Sequence, residues 1–318
     1  MIAEAELFSI EDGGPGTARG AFARHETFHP RHGWLKKGYD AALEDPSVFT
    51  RDDAAVVLGV GKNMVRAIRY WCLAFKVLES RAGLTLPTEF GTTLLGSTGW
   101  DPYLEDLASL WLLHNSLLSD PSLATAWDYA FFGFAKTEFT LDEMVNGLEE
   151  HASREFPTSR TAAASFRKDV SCILRMYAGK PQRGMPSEES IQCPFVDLGL
   201  MTAGSTPDRS MFVQGDKPGL APAIIAAACL QFAHRAAPTA RTISFSRLLR
   251  DRGSPGMAFK LTEPSLYAAL EAVADQRADL GISDSGGIVQ VTYGDSPPAV
   301  ARELLDDYYS AAFAEVIG

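Results

Sequence analysis

The stretch Leu58 to Trp71, LGVGKNMVRAIRYW, restricts the fold more than any other part of the chain. An apolar run, Val56-Val57-Leu58, leads into Gly59-Val60-Gly61 and then a basic segment with helical periodicity. Two helices joined by a tight glycine turn make a helix-turn-helix, whose second helix enters the major groove of DNA. In that second helix Val65, Ile68 and Cys72 recur at helical spacing, with Met64 and Trp71 beside them, and form the packed stripe. Lys62, Asn63, Arg66 and Arg69 fall mostly on the other side. Arg and Lys there suit phosphates or guanine, and Asn suits adenine. An ordinary amphipathic helix with a solvated basic face gives the same pattern, so the reading needs support from elsewhere.

Net charge at first argues against nucleic acid, because the 318 residues sum to −11. The distribution reverses that argument. Residues 19–37 carry Arg19, Arg24, Arg31, Lys36 and Lys37 against Glu26, a local +4. Residues 62–81 carry Lys62, Arg66, Arg69, Lys76 and Arg81 against Glu79, again +4, which leaves −19 for the rest. Clustered charge of one sign is the electrostatic footprint of a nucleic-acid binder.

The first of these clusters lies in Phe22–Tyr39, FARHETFHPRHGWLKKGY. It contains H-E-x-x-H as His25, Glu26 and His29. In a zinc peptidase both histidines stand on one face of a continuing helix, with the Glu as general base. Here Pro30 follows His29, and the residue before a proline is pushed out of the α region. A zinc peptidase is therefore a minor alternative, and no metal ligand set is assigned. Phosphate recognition fits better: Arg24, Arg31, Lys36 and Lys37 surround Phe28 and Trp34, which would anchor the segment to the core. A plain surface loop leading into a core helix accounts for the aromatics equally well.

The length predicts two or three domains. Residues 1–20 form a mobile arm rich in glycine and small polar groups. Residues 21–100 form a winged-helix-like unit: Thr50 caps a first helix, the basic helix runs to about Glu79, Leu84–Pro87 is a short strand, and Thr92–Leu95 is a capping turn. Residues 101–180 form a helical middle, with an aromatic stripe through Trp111, Trp127 and Phe131. Thr140 to Glu143 is a capping box, and a basic helix follows from Ser159 to Tyr177. Residues 154–183 hold seven basic residues against Glu155 and Asp169, a local +5, for which salt bridges within a bundle are favoured over a second helix-turn-helix. Residues 181–219 read as a linker, with a strand near Phe195–Leu200 and a loop over Met201–Met211. Residues 220–318 give helices at Pro222–Ala237, Ser244–Asp251 and Glu263–Ala278, a hairpin turning at Asp284-Ser285-Gly286-Gly287, and a last helix. The fold class is mainly α, with winged-helix or helix-turn-helix units at both ends.

Four widely spaced cysteines without C-x-x-C read as buried thiols in a reducing cytoplasm. No secretory signal opens the sequence, and no apolar run approaches a membrane span. Neither a G-x-x-x-x-G-K-[ST] phosphate loop nor a G-x-S-x-G elbow occurs. None of the nine lysines has an acid two residues before it, so the common restriction-type nuclease core is not visible.

The stretches HETFHPRHGWLKKG (25–38) and LGVGKNMVRAIRYW (58–71) resemble a bacterial family catalogued as a domain of unknown function, the SspB-like DNA nickases of single-strand phosphorothioation systems. The resemblance extends over most of the chain after the first twenty residues. It implies antiphage defence by epigenetic marking, with one strand nicked so that sulfur can replace a phosphate oxygen. It implies partners SspC and SspD, with sulfur supplied through the cysteine desulfurase SspA. The second histidine of the H-E-x-x-H match is not part of the family's motif, and no catalytic motif carries over. On these grounds the chain is expected to bind double-stranded DNA through Arg24, Arg31, Lys36, Lys37, Lys62, Asn63, Arg66 and Arg69. Glu26 and His25 are the candidate catalytic pair, Glu26 being the one acid inside the first basic cluster. Mg²⁺ or Mn²⁺ would support nicking without being tightly bound. A homodimer is the default assembly. The rival reading is a non-catalytic DNA-binding adaptor that positions a partner enzyme.

Overall fold

The computed structural model describes residues 20–158, 161–179, 193–294 and 296–317. The arm over 1–19, the expected helix start at 159–160 and the first part of the expected linker, 181–192, lie outside the described residues. The fold is mainly α, with small antiparallel sheets.

The first stretch runs α1 (Trp34–Glu44), a 3-10 turn (Val48–Thr50), α2 (Ala54–Leu58), α3 (Lys62–Ala74), β1 (Leu78–Arg81), β2 (Leu84–Pro87) and α4 (Glu89–Leu95). Gly59 takes a left-handed φ of 63° at the end of α2, and Gly61 stays extended ahead of Lys62, so the glycine turn is real. Helix α3 is shorter than expected. Lys76 adopts φ 58°, which stops the helix, and Glu79 lies in β1 instead. Ala82 and Gly83 are both left-handed, the geometry of a two-residue hairpin turn that matches strand twist. Thr92–Leu95 is the end of α4 and not a turn, because Thr88 caps that helix by accepting from the Gly91 amide. Thr50 ends a 3-10 turn and does not cap α2.

The middle stretch is not purely helical. It runs α5 (Leu107–Leu118), α6 (Thr125–Asp128), a π turn (Tyr129–Gly133), β3 (Glu138–Thr140), α7 (Leu141–Glu155) and α8 (Ala163–Tyr177). The expected capping box at Thr140 and Glu143 is present in full. The segment read as a linker then supplies β4 (Met201–Ala203) and β5 (Arg209–Phe212), giving a sheet in the order β3-β5-β4. The expected strand near Phe195 is a 3-10 helix, Pro194–Leu198, opened by its proline.

The last stretch runs α9 (Pro222–Ala236), β6 (Thr242–Ser244), α10 (Phe245–Arg250), α11 (Pro255–Ala258), α12 (Glu263–Ala274), β7 (Leu280–Ser285), β8 (Ile288–Tyr293) and α13 (Pro297–Ile317), with sheet order β6-β8-β7. Proline opens α9, α11 and α13, where its missing N–H costs nothing.

A continuous core joins all three stretches. Trp71, Trp111 and Trp127 are fully buried in it. Helix α13 is tied back to the end of the first stretch: Tyr309 stacks on Trp100 at 5.1 Å, and Trp100 Nε1 donates to Asp306 at 2.7 Å.

Candidate nucleic-acid interface

Helix α3 has the two faces expected of it. Val65, Ile68, Trp71 and Cys72 are buried, and each large apolar group so removed from water contributes about 1.5–3 kcal/mol. Lys62 and Asn63 are exposed at the first turn, immediately after Gly61. Arg66, half exposed, follows one turn later on the same side. Arg69 departs from the expectation. It is buried, its Nε donates to Thr85 Oγ1 of β2, and burial lowers its pKa. The guanidinium fastens α3 to the β1–β2 hairpin.

The segment 20–33 is a strap between α3 and α8. Ala23, Glu26 and Thr27 all adopt left-handed φ, of 54°, 50° and 69°. Such conformations cost of order 1 kcal/mol or more each and persist only where surrounding contacts fix them. Those contacts are present. The Ala23 amide donates to both carboxylate oxygens of Asp169 of α8, at 3.0 and 3.1 Å. Arg175 of α8 donates to the Thr27 carbonyl at 2.5 Å. Trp71 of α3 donates through Nε1 to the Phe28 carbonyl at 3.0 Å. Phe22 meets Phe166 of α8 edge-on at 5.0 Å.

His25 is the centre of the strap. It is fully buried, stacked on Trp71 and edge-on to Trp127, with Nε2 2.8 Å from Asp169 Oδ1. Burial works against its imidazolium, but Cys172 and Asp169 outweigh that and raise His25 to about 10. Burial likewise raises Asp169, against the pull of His25. The geometry supports a proton held between the His25 imidazole and the Asp169 carboxylate, which also accepts from the Ala23 amide. His25 was expected to be catalytic. The structure instead buries it fully, with Nε2 committed to Asp169. Residues 24–27 form a turn and 28–30 no regular element, so His25 and His29 do not share a helical face.

Glu26 stands at the strap's surface, with Oε1 3.7 Å from Arg66. The strap and α3 thus meet at an acid–base pair. Arg24 is exposed. Arg31 packs over Phe28 and Trp34, at 5.6 and 5.3 Å. Lys37 donates to the Leu58 carbonyl at the end of α2, at 3.0 Å, which brings the first basic cluster against the glycine turn. Lys36 pairs with Asp40 at 2.5 Å and lies 5.8 Å from the Tyr103 ring. Lys36, Lys37 and Arg51 line a groove of about 640 Å³ together with Asp40, Asp45 and Tyr103, and Arg51 is already held by Asp45 and Asp53. The structure therefore gathers Glu26, Lys37, Lys62, Asn63 and Arg66 around α3, places Lys36 and Arg31 to its flanks, and removes His25 and Arg69 to the interior.

Sequence reasoning missed Asp169. A signal existed: it sits among Phe166, Val170 and Ile173 on the apolar stripe of α8, an unusual place for an acid without a buried partner. Among the described residues no three His, Cys, Asp or Glu side chains come together to hold a metal ion. No described helix is long and apolar enough to cross a membrane.

The family model described as a protein of unknown function (DUF4007) matches residues 22–309, from the start of the strap to α13. Two crystal structures of SspB, one of them bound to magnesium ion, are similar to this chain with a TM-score of 0.86 and 41% sequence identity. Each match covers 92% of this chain and 89% of the other. No curated protein matches the sequence.

Proposed function

This chain belongs to the DUF4007 family, with SspB among its structural relatives, and from that premise we propose that it is a DNA-binding component of a phosphorothioate-modification and antiphage system. The observation that carries the reading is the outward triplet Lys62, Asn63 and Arg66 at the start of α3, behind a glycine turn and ahead of a hairpin. Helix-turn-helix then paired strands is the order expected of a winged helix, and in this reading α3 meets the major groove with its N-terminal residues. Lys62 and Arg66 supply phosphate or guanine contacts and Asn63 an adenine contact.

In this reading the protein nicks one strand so that sulfur can enter the backbone, with Glu26 as the acid nearest the DNA-facing residues. Mg²⁺ or Mn²⁺ would supply charge stabilisation on the attacking and leaving oxygens. The described residues offer no preformed cluster for such an ion, and Mg²⁺ often binds through one or two carboxylates plus the phosphates of its substrate. The protein works in the cytoplasm, where its four buried, unbridged cysteines stay reduced, as a homodimer and with SspC, SspD and SspA as partners.

A second reading is favoured by a specific observation. Glu26 is paired with Arg66 and His25 is committed to Asp169, which is how an adaptor without its own chemistry would use them. A nicking assay on supercoiled plasmid, with and without Mg²⁺ or Mn²⁺, decides between the two. Metal-dependent open-circle product supports the nickase. Tight plasmid binding with no product supports the adaptor. No binding at all removes both.

A further inference from the structure

We propose that α8 is a second DNA-contacting helix, which forms one basic face with α3 and the strap between them. The inference rests on the DNA-binding reading above and extends it from one helix to two.

The first support is topological. The middle stretch orders its elements as strand, helix, helix, then two paired strands, with sheet order β3-β5-β4. The last stretch has a similar order, a strand, three helices and two paired strands, with sheet order β6-β8-β7. Among the described residues, α3, α8 and α12 are each the last α-helix before a pair of antiparallel strands, with the 3-10 turn Pro194–Leu198 between α8 and its pair.

The second support is charge. Helix α8 turns Arg167 and Lys168 to solvent near its start. Helix α12 turns out Glu263 and Glu271 and contains no Lys or Arg. These helices thus differ in sign, and a polyanion is attracted to the first two and repelled by the third. Arg167 is paired with Asp142 of α7, but both are more than half exposed, and such a surface pair is worth at most about 1 kcal/mol, which a phosphate readily replaces.

The third support is register. Glu26 touches Arg66 of α3, and Ala23, three residues earlier, touches Asp169 of α8, the neighbour of Lys168. Three residues of chain span about 11 Å at most, against a major groove about 12 Å wide. The strap therefore attaches to the two helices at points no farther apart than that groove is wide, with exposed Arg24 between them.

The test is fluorescence-anisotropy titration of a labelled duplex of about thirty base pairs with the full-length protein at several salt concentrations, with circular dichroism as the folding control. Arg167→Glu with Lys168→Glu is expected to weaken binding at least tenfold. The slope of log K against log salt should fall by roughly two units, one per phosphate contact removed. Glu271→Gln should leave both quantities unchanged. Should the double change disturb the fold, Lys168→Ala alone is expected to lower the slope by roughly one unit. Unchanged affinity and slope in the folded α8 variants, while Lys62→Glu with Arg66→Glu abolishes binding, would overturn the α8 proposal and leave the α3 reading standing. If the wild-type protein binds no duplex, both fall.

Discussion

His25 Nε2 lies 2.8 Å from Asp169 Oδ1 across 144 residues of sequence, and neither side chain is more than 2% exposed. The pair joins the strap to α8 while the same imidazole stacks on Trp71 of α3. It fixes the relation of the two helices that carry the exposed basic residues. A buried pair of this kind is weak evidence for stability in itself, because desolvation offsets much of the attraction. Its value is that removing one member leaves the other uncompensated, so only one arrangement of strap and helices is tolerated.

Removing one partner should be costly and pH-dependent. At neutral pH, His25→Gln is expected to lose about 3–5 kcal/mol. His25 has an ordinary value of 6.5 and is raised to about 10 in the fold. Its stabilisation is therefore complete below about 6.5 and is lost as pH rises through about 10. Lys260 acts in the opposite sense. Burial lowers it to about 8, so its penalty on folding disappears as pH rises from there toward 10.5. The wild-type curve alone mixes the histidine with Lys260 and with Lys76 and Lys217, which burial also lowers to about 8. The difference in Tm between wild type and His25→Gln isolates the histidine, and it should narrow steadily from pH ~6.5 to ~10. A difference that stays constant over that range would remove the charged pair from the account.

Arg69→Ala should behave as a stability mutation. The side chain is 9% exposed and bonded to Thr85, so truncation leaves a buried hydroxyl without its partner and unfastens the hairpin. The expected loss is about 1–3 kcal/mol in denaturant titration. The salt slope of DNA binding by the folded variant should match wild type. A lowered slope with unchanged stability would return Arg69 to the DNA-facing set.

Local pattern and long-range pairing were unequally legible. The two faces of α3, the Thr140–Glu143 capping box and the last hairpin follow from spacing and turn chemistry within a few residues, and the structure has them, though Asp284 and Ser285 pair within β7 and only Gly286–Gly287 form the turn. The β3-β5-β4 sheet was not legible, because its strands are three or four residues long and pair Glu138–Thr140 with Arg209–Phe212 across some seventy residues. Asp169 was overlooked for the same reason: its partners are Ala23 and His25, far away in sequence. Arg69 misled because a long side chain can bury its stem and still find an acceptor, which periodicity does not register.

Glu26 separates the two functional readings by splitting binding from cleavage. Glu26 and Arg66 are partly exposed and 3.7 Å apart, so their attraction is worth at most about 1 kcal/mol. Glu26→Gln frees Arg66 from a competing carboxylate and should tighten duplex binding by up to about fivefold at low salt. If Glu26 is the catalytic carboxylate, metal-dependent nicking of supercoiled plasmid should fall at least a hundredfold in the same variant. Full nicking by protein that binds more tightly would leave Glu26 with the positioning role alone.

The α3 face makes the most direct claim on DNA. Lys62, Asn63 and Arg66 point away from the Val65–Ile68–Cys72 stripe, so changes there should spare the fold. Their positive field acts against a chain of net charge −11, which makes binding strongly salt-dependent. Lys62→Ala is expected to weaken binding to all sequences alike and to lower the salt slope by roughly one unit. Asn63→Ala should instead cost about 1–3 kcal/mol on a preferred site and relax the preference, because it removes a contact to a base edge. Arg66→Ala should relax the preference as well, though its pairing with Glu26 blunts the loss. Lys62→Glu with Arg66→Glu should abolish binding while circular dichroism stays unchanged, since neither side chain belongs to the core. A folded double variant that binds as tightly as wild type, with the same salt slope, would show that α3 is not the element that reads DNA.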